Sequence, residues 1–141
     1  MNKTENFVKM VDEVETNCKI RKLNFNTAGE LLGEANNYAE AEYLARKMKA
    51  NFNGDIDDRC YSGFWRHFFN RFVETENCKR MVAEFGPELK DAIEGYKWVK
   101  IQENHPEVAK EMADLCKANE WIKAIKFRKN AYEQYKDEVV F

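Results

Sequence analysis

The feature that most constrains the fold is a pair of aromatic rows within one segment of the chain. Large apolar side chains recur there at every fourth residue in two adjacent series, Phe64, Phe68 and Phe72, and Trp65, Phe69 and Val73. Because residues four apart lie on the same face of an α-helix, two adjacent rows require a wide buried face. The spacing predicts a helix over about 62–76, and its rings should form much of the core.

Apolar residues also recur at steps of three and four along most of the remaining sequence, as they do in amphipathic helices. These stripes predict helices over 4–18, from Thr27 to near Asn51, over 77–85, from Pro87 and from Pro106. The last stripe passes a break near Asn119 and includes Ile122 and Ile125, which are thereby expected on the buried side of a helix.

Local signals place several helix boundaries. Thr27 and Glu30 have the spacing of a capping box, which predicts that a helix begins there. Gly86-Pro87 and His105-Pro106 each combine a helix stop with a proline suited to the first helical position. Residues 20–25 alternate apolar and polar side chains and would also suit a short extended segment.

Chain length and apolar content fix the scale of the fold. With 141 residues, 44% of them apolar, the chain is long enough to bury one core and too short to favour a second. We therefore expect an all-α protein, a compact single domain over residues 1–141 with about six helices.

Charge and hydropathy limit the compartment and the partners. The 23 basic and 25 acidic residues give a formal net charge of −2, which provides no protein-wide field for a polyanion. The first residues lack the apolar stretch of a secretory signal, and no run approaches the roughly 18 apolar residues of a membrane span. The sequence predicts a cytoplasmic protein without membrane contact.

Metal binding is not expected. The four cysteines are widely spaced and are interpreted as reduced core side chains rather than zinc ligands or disulfides: Cys18, Cys60, Cys78 and Cys116. The acidic loop around 55–58 does not match a calcium-binding loop, because Cys60 and Arg66 occupy the positions that require Gly and Glu. The sequence predicts neither a metal nor another cofactor.

The residues needed for catalysis are scarce. The chain has a single serine, Ser62, and two histidines, His67 and His105, and the latter is interpreted as a helix-end residue. Its six glycines never reach the spacing of a phosphate-binding loop. We therefore predict that the protein is not an enzyme and has no catalytic residues.

Two groups of basic residues are the candidate binding residues. The first lies in a segment with four cations in seven positions and no acid, and it comprises Lys123, Lys126, Phe127, Arg128 and Lys129. The second surrounds the aromatic helix and comprises Arg66, Arg71, Lys79 and Arg80. Either group is able to contact a phosphate backbone or an acidic protein face. For the segment 123–129 a plain solvated helix surface is the more common explanation.

The composition is rich in Lys, Asn, Glu and Phe and poor in Leu and Ser. With its length and mass, it resembles the ComC-alpha (GoF) family of T-even phages, the mRNA metabolism modulators. The resemblance covers Met1 to Phe141 and rests on no short motif, so it transfers no functional residues. It implies an early phage protein in the host cytoplasm that alters Rho-dependent transcription termination or the fate of untranslated mRNA.

The first functional hypothesis is a non-enzymatic regulator that binds a host protein of the transcription-termination or RNA-processing machinery, with RNA contact also open. The alternatives are a helical module that binds nucleic acid directly and a phage inhibitor of another host or defence protein complex. The sequence specifies neither the partner nor the oligomeric state.

Overall fold

The computed structural model describes residues 2–18, 23–51, 59–139 and 141, with side chains at these positions except 50–51 and 59–62. Every regular element in these residues is helical, so the all-α prediction is confirmed. The contacts divide the chain into two units, Met1–Phe85 and Gly86–Phe141, which are described separately. The single domain stays a prediction.

The first unit contains five helices in its described residues. They are α1 (Lys3–Asn17), α2 (Phe25–Glu34), α3 (Tyr38–Asn51), α4 (Arg59–Phe72) and α5 (Glu76–Phe85). The aromatic rows on α4 lie in its core, as predicted: all six side chains are buried. Most of their ring pairs pack edge to face or tilted, with the Phe64 and Trp65 centroids 5.0 Å apart at 82°, and Trp65 stacks on Phe69 at 5.6 Å. This geometry is favourable for aromatic pairs.

The expected helix from Thr27 to Asn51 is two helices, and its cap is a different residue. The Asn24 side chain accepts a hydrogen bond from the Thr27 amide, so the helix begins at Phe25. The chain then leaves the helix at Ala35, where ψ is 131°, and α3 begins at Tyr38. The prediction of one continuous helix from the apolar stripe was wrong here. Side-chain hydrogen bonds interrupt the series of backbone hydrogen bonds between α2 and α3.

Glu40 holds the turn between α2 and α3. Its carboxylate is fully buried and accepts hydrogen bonds from the Asn36 backbone and side chain and from the Asn37 side chain, at 3.1–3.2 Å. Thr4 of α1 donates to it at 3.3 Å. A buried carboxylate needs such donors, so the break between α2 and α3 also connects them to α1.

The second unit contains α6 (Lys90–Asn104), α7 (Pro106–Lys117) and α8 (Trp121–Tyr135). Pro106 occupies the first turn of α7 as predicted, and the break at Asn119 is present, with a φ of 58°. Pro87 does not begin an α-helix: it lies in a 3₁₀ turn, Gly86–Leu89, that precedes α6. The glycine before it has a φ of 67°, which glycine adopts at little cost.

The described residues therefore contain eight α-helices, or seven if the uninterrupted helical run over 76–104 is counted once. The sequence predicted about six. The excess comes mainly from the divided second helix. Among the helices that the structure describes, none combines the length and the apolar composition that crossing a bilayer requires.

The core face of α8 is formed by small residues. Ala124 and Ala131 are buried, whereas Ile122 and Ile125 are 72% and 69% exposed. The assignment of these isoleucines to the buried side was wrong. Helical spacing identifies residues that share a face, but the packing of α8 places its alanine face inward.

A short C-terminal segment packs on the same unit. After α8 the chain forms a 3₁₀ turn, Lys136–Glu138, and Val139 is buried. The Phe141 ring lies 5.8 Å from that of Tyr96 on α6. His105 lies at the end of α6, which confirms its interpretation as a helix-end residue. Its side chain contacts Glu138 in the C-terminal segment.

Candidate protein-binding surface

The structure separates the members of the basic segment 123–129. Lys123 pairs at 3.5 Å with Glu120, which lies just before the acid-free segment, so this cation is not unpaired. Phe127 is half-buried and lies beside Val108 of α7. The Arg128 guanidinium lies over the Trp98 ring, 5.3 Å from its centroid. Lys123 and Arg128 thus have contacts within the chain, and the Arg128 side chain remains exposed.

Lys126 and Lys129 are the cations of this segment for which the described residues provide no ion pair or ring contact. Both side chains are exposed, and neither forms an ion pair within the part of the chain that the structure describes. The nearest acids on either side, Glu120 and Glu133, pair instead with Lys123 and Lys136.

The second basic group contains one residue with a structural role. The Arg71 guanidinium donates to the carbonyl oxygens of Leu32 and Ala35, each at 2.9 Å, at the end of α2. Lys79 pairs with Glu76 at 3.5 Å. Arg66 and Arg80 are exposed, without an ion pair among the described residues. The group does not act as one set of free cations.

The most prominent surface feature is a group of exposed apolar side chains. Two of them, Ile122 and Ile125, belong to the apolar stripe that predicts a buried helix face. Trp121, Ile122 and Ile125 at the start of α8 are 56%, 72% and 69% exposed. Ile125 is a neighbour of both other residues on the helix surface, because it lies four residues after Trp121 and three after Ile122. Lys126 lies one turn after Ile122 and Lys129 one turn after Ile125. We call these five residues, Trp121, Ile122, Ile125, Lys126 and Lys129, the α8 patch.

A sequence signal for this patch exists in the width of the apolar arc. At 100° per residue, Ala124 and Phe127 lie on one side of the helix, and Ile122 and Ile125 lie on the other. A single buried face is too narrow to include both sides of the helix. The sequence therefore predicts that some apolar residues of α8 are exposed, but it does not indicate which ones.

A cleft lies beside the patch, between α6 and α8. It has a volume of about 360 Å³ and is lined by Glu94, Ile125, Arg128, Lys129 and Tyr132. Burial and the neighbouring Glu94 carboxylate raise the pKa of Tyr132, so its hydroxyl stays neutral at physiological pH. We call this feature the α6–α8 cleft.

Other chemistry-bearing side chains do not form a comparable site. Within the described residues, no three His, Cys, Asp or Glu side chains are arranged to hold a metal ion. Cys78 is buried, and burial raises the pKa of its thiol to about 11. Cys18 and Cys116 are half-exposed, so the core interpretation is wrong for these two. Cys60, Ser62 and the loop 55–58 lie outside the described side chains.

No family model, curated protein or solved structure matches this chain. The α8 patch is therefore assigned from its own chemistry. Tryptophan is enriched among the residues that dominate binding energy at protein interfaces. Contiguous exposed apolar residues rimmed by polar ones are typical of interaction sites.

Proposed function

We propose that this protein is a non-enzymatic regulator that binds a host protein of the transcription-termination or RNA-processing machinery through the α8 patch. The carrying observation is the exposure of Trp121, Ile122 and Ile125 beside Lys126 and Lys129. Leaving three large apolar side chains in water forgoes burial free energy of about 25 cal/mol for every Å². A partner surface that covers them recovers it.

The class of partner comes from the resemblance to the ComC-alpha family of T-even phages. That resemblance implies an early protein of the host cytoplasm that alters Rho-dependent termination or mRNA fate. Such a role requires binding and no catalytic set. The α8 patch supports it by supplying an apolar centre and a basic rim, which is the arrangement of a protein-docking surface.

Direct nucleic-acid binding is the second candidate, and one observation favours it. Trp121 exposes a ring one to two turns from Lys126 and Lys129 on the same helix, and an exposed ring beside cations is able to stack on a base of a single strand. The two exposed isoleucines have no such role. This candidate therefore accounts for less of the patch than protein docking does.

Affinity capture from a bacterial lysate, with and without nuclease and read by mass spectrometry, tests the proposal. We expect the tagged full chain to retain Rho or an RNA-processing protein after nuclease treatment, and Ile122→Asp to lose it. Lys110→Gln on α7 is the matched surface control, because Lys110 is exposed outside the patch.

Each other outcome contradicts the proposal. A partner lost on nuclease treatment would support the nucleic-acid module. Nuclease-resistant capture of an unrelated host or defence complex would support the inhibitor alternative. Equal capture by wild type and Ile122→Asp would remove the α8 patch from the interaction.

A further inference from the structure

We propose that the α6–α8 cleft and the α8 patch together bind an acidic protein segment that carries a bulky apolar residue, with the apolar residue seated beside Ile125 and the acids on Arg128 and Lys129. This inference rests on the proposed function and names the chemistry of its partner.

The patch and the cleft are continuous through Ile125. Ile125 belongs to the exposed apolar group and also lines the cleft, together with Tyr132 two turns later on α8. From Trp121 to Tyr132 the helix rises roughly 16 Å, at 1.5 Å per residue. A surface of this length accommodates about three turns of a helix or a short extended segment.

The cleft has an apolar wall and a cationic rim. Ile125 and Tyr132 supply the apolar wall, which suits an aliphatic or aromatic side chain. Arg128 and Lys129 supply the cations. Aromatic or aliphatic anchors in pockets, rimmed by charge pairs, are the usual construction of small protein-docking sites.

Arg128 is oriented before any partner arrives. Its guanidinium lies over the buried Trp98 ring at 5.3 Å, a cation–π contact that leaves the guanidinium edge for a carboxylate. Because the side chain is already held, less rotamer entropy is lost on binding.

Glu94 sets the polarity of the cleft. Its carboxylate lines the cleft from α6 and is close enough to Tyr132 to affect the pKa of the tyrosine. A phosphate backbone would be repelled there, and two exposed isoleucines offer it no stacking surface. A protein segment avoids this conflict because its acids lie on one side of an apolar anchor.

A second copy of the chain fits less well. In a two-fold pairing of the α8 patch, Lys126 and Lys129 would approach the same cations of the partner copy. Three exposed apolar side chains also fall short of the roughly 800 Å² per partner that a stable interface buries. The cationic rim instead complements an acidic partner.

Fluorescence anisotropy with three labelled probes tests the inference on the full chain. The probes are an amphipathic Leu/Glu peptide, the same peptide with Lys in place of every Glu, and oligouridylate. We expect the Leu/Glu peptide to bind at least about tenfold more tightly than the Leu/Lys peptide. Ile125→Asp should weaken it about tenfold or more.

Two charge variants give opposite expectations. Arg128→Gln should weaken the Leu/Glu peptide about two- to fivefold, the range for an exposed ion pair. Glu94→Gln should tighten it by a similar factor, which loss of folding cannot imitate. Lys110→Gln should leave it unchanged.

Three results would overturn the inference. They are equal binding of the two peptides, insensitivity of peptide binding to both charge variants, and oligouridylate binding that Arg128→Gln weakens. Self-association of the chain that Ile125→Asp disperses would also overturn it, in favour of a second copy.

The two proposals fail separately. If Glu94→Gln and Arg128→Gln leave the affinity for the peptides unchanged while Ile122→Asp still abolishes host-protein capture, the cleft assignment is wrong and the proposed function stands. If Ile122→Asp leaves capture unchanged, the proposed function fails at its site whatever the peptides show.

Discussion

The Arg71 guanidinium donates to the carbonyl oxygen of Ala35 at 2.9 Å and thereby ties α4 to the end of α2. The last carbonyl groups of a helix lack the usual amide partner four residues on. Arg71 also donates to the Leu32 carbonyl, which accepts a second hydrogen bond from the Ala35 amide. A residue that looks like a free cation in the sequence is thus a cap for another helix.

Arg71→Ala should therefore lower stability rather than partner binding. Loss of both hydrogen bonds removes the Arg71 donor from the carbonyl groups of two buried residues, Leu32 and Ala35, at an expected cost of about 1–2 kcal/mol in the free energy of unfolding. Urea denaturation measures it. Arg80→Ala, at an exposed position of α5, is the control and should stay within about 0.5 kcal/mol of wild type. Equal stability of both variants would contradict the capping role.

Glu40→Ala should destabilise the first unit. The carboxylate is fully buried, and its removal leaves donors from Asn36, Asn37 and Thr4 without an acceptor. We expect a loss of about 1–3 kcal/mol. Glu42→Ala, whose side chain forms an exposed pair with Arg46, should cost less than about 1 kcal/mol. Similar denaturation midpoints for the two variants would refute this account of the turn.

Phe68→Ala and Ile122→Ala should differ in stability, because Phe68 belongs to the core and Ile122 to the surface. Phe68 is fully buried among the α4 rings, and its truncation should cost about 3–5 kcal/mol. Ile122 is mostly exposed, so its truncation should change stability by no more than about 0.5 kcal/mol. Thermal melts of both variants decide the matter, and a large loss for Ile122→Ala would show that this side chain is covered within the chain.

Stability should also depend on the His105–Glu138 contact. The hydrogen bond from the imidazole Nε2 to Glu138, 2.7 Å long, raises the pKa of His105, against opposing desolvation and with a smaller contribution from Glu107. A raised pKa stabilises the fold fully below the unfolded value of about 6.5, and this stabilisation is lost as pH rises through the folded value.

An NMR titration of His105 checks this expectation. His105 should titrate above 6.5 in wild type and closer to 6.5 in Glu138→Gln. Denaturant midpoints should fall less steeply with rising pH in Glu138→Gln. An unchanged His105 titration would exclude Glu138 as the cause.

The elements that the sequence predicts well are those with a local cause. The Pro106 start and the Asn119 break follow from backbone preferences of single residues, and the buried rows of α4 follow from their four-residue spacing. Each of these features depends on single residues or on residues about one helical turn apart.

The elements that the sequence predicts poorly depend on contacts between distant residues. The stripe through Leu31, Ala35 and Tyr38 continues across the break between α2 and α3, and the buried Glu40 carboxylate and Arg71 of α4 stabilise that break. Likewise, the period of α8 is compatible with burial of Ile122, and only its packing through Ala124 and Ala131 exposes it.

Photo-crosslinking from the α8 patch tests the central claim most directly. A photoreactive phenylalanine analogue replaces Ile122 in one variant, Lys110 in a second and Arg80 in a third, and each is irradiated in nuclease-treated lysate. The account predicts a protein crosslink from position 122 alone, to a component of the transcription-termination or RNA-processing machinery. Crosslinks from positions 110 or 80 with none from position 122 would contradict it.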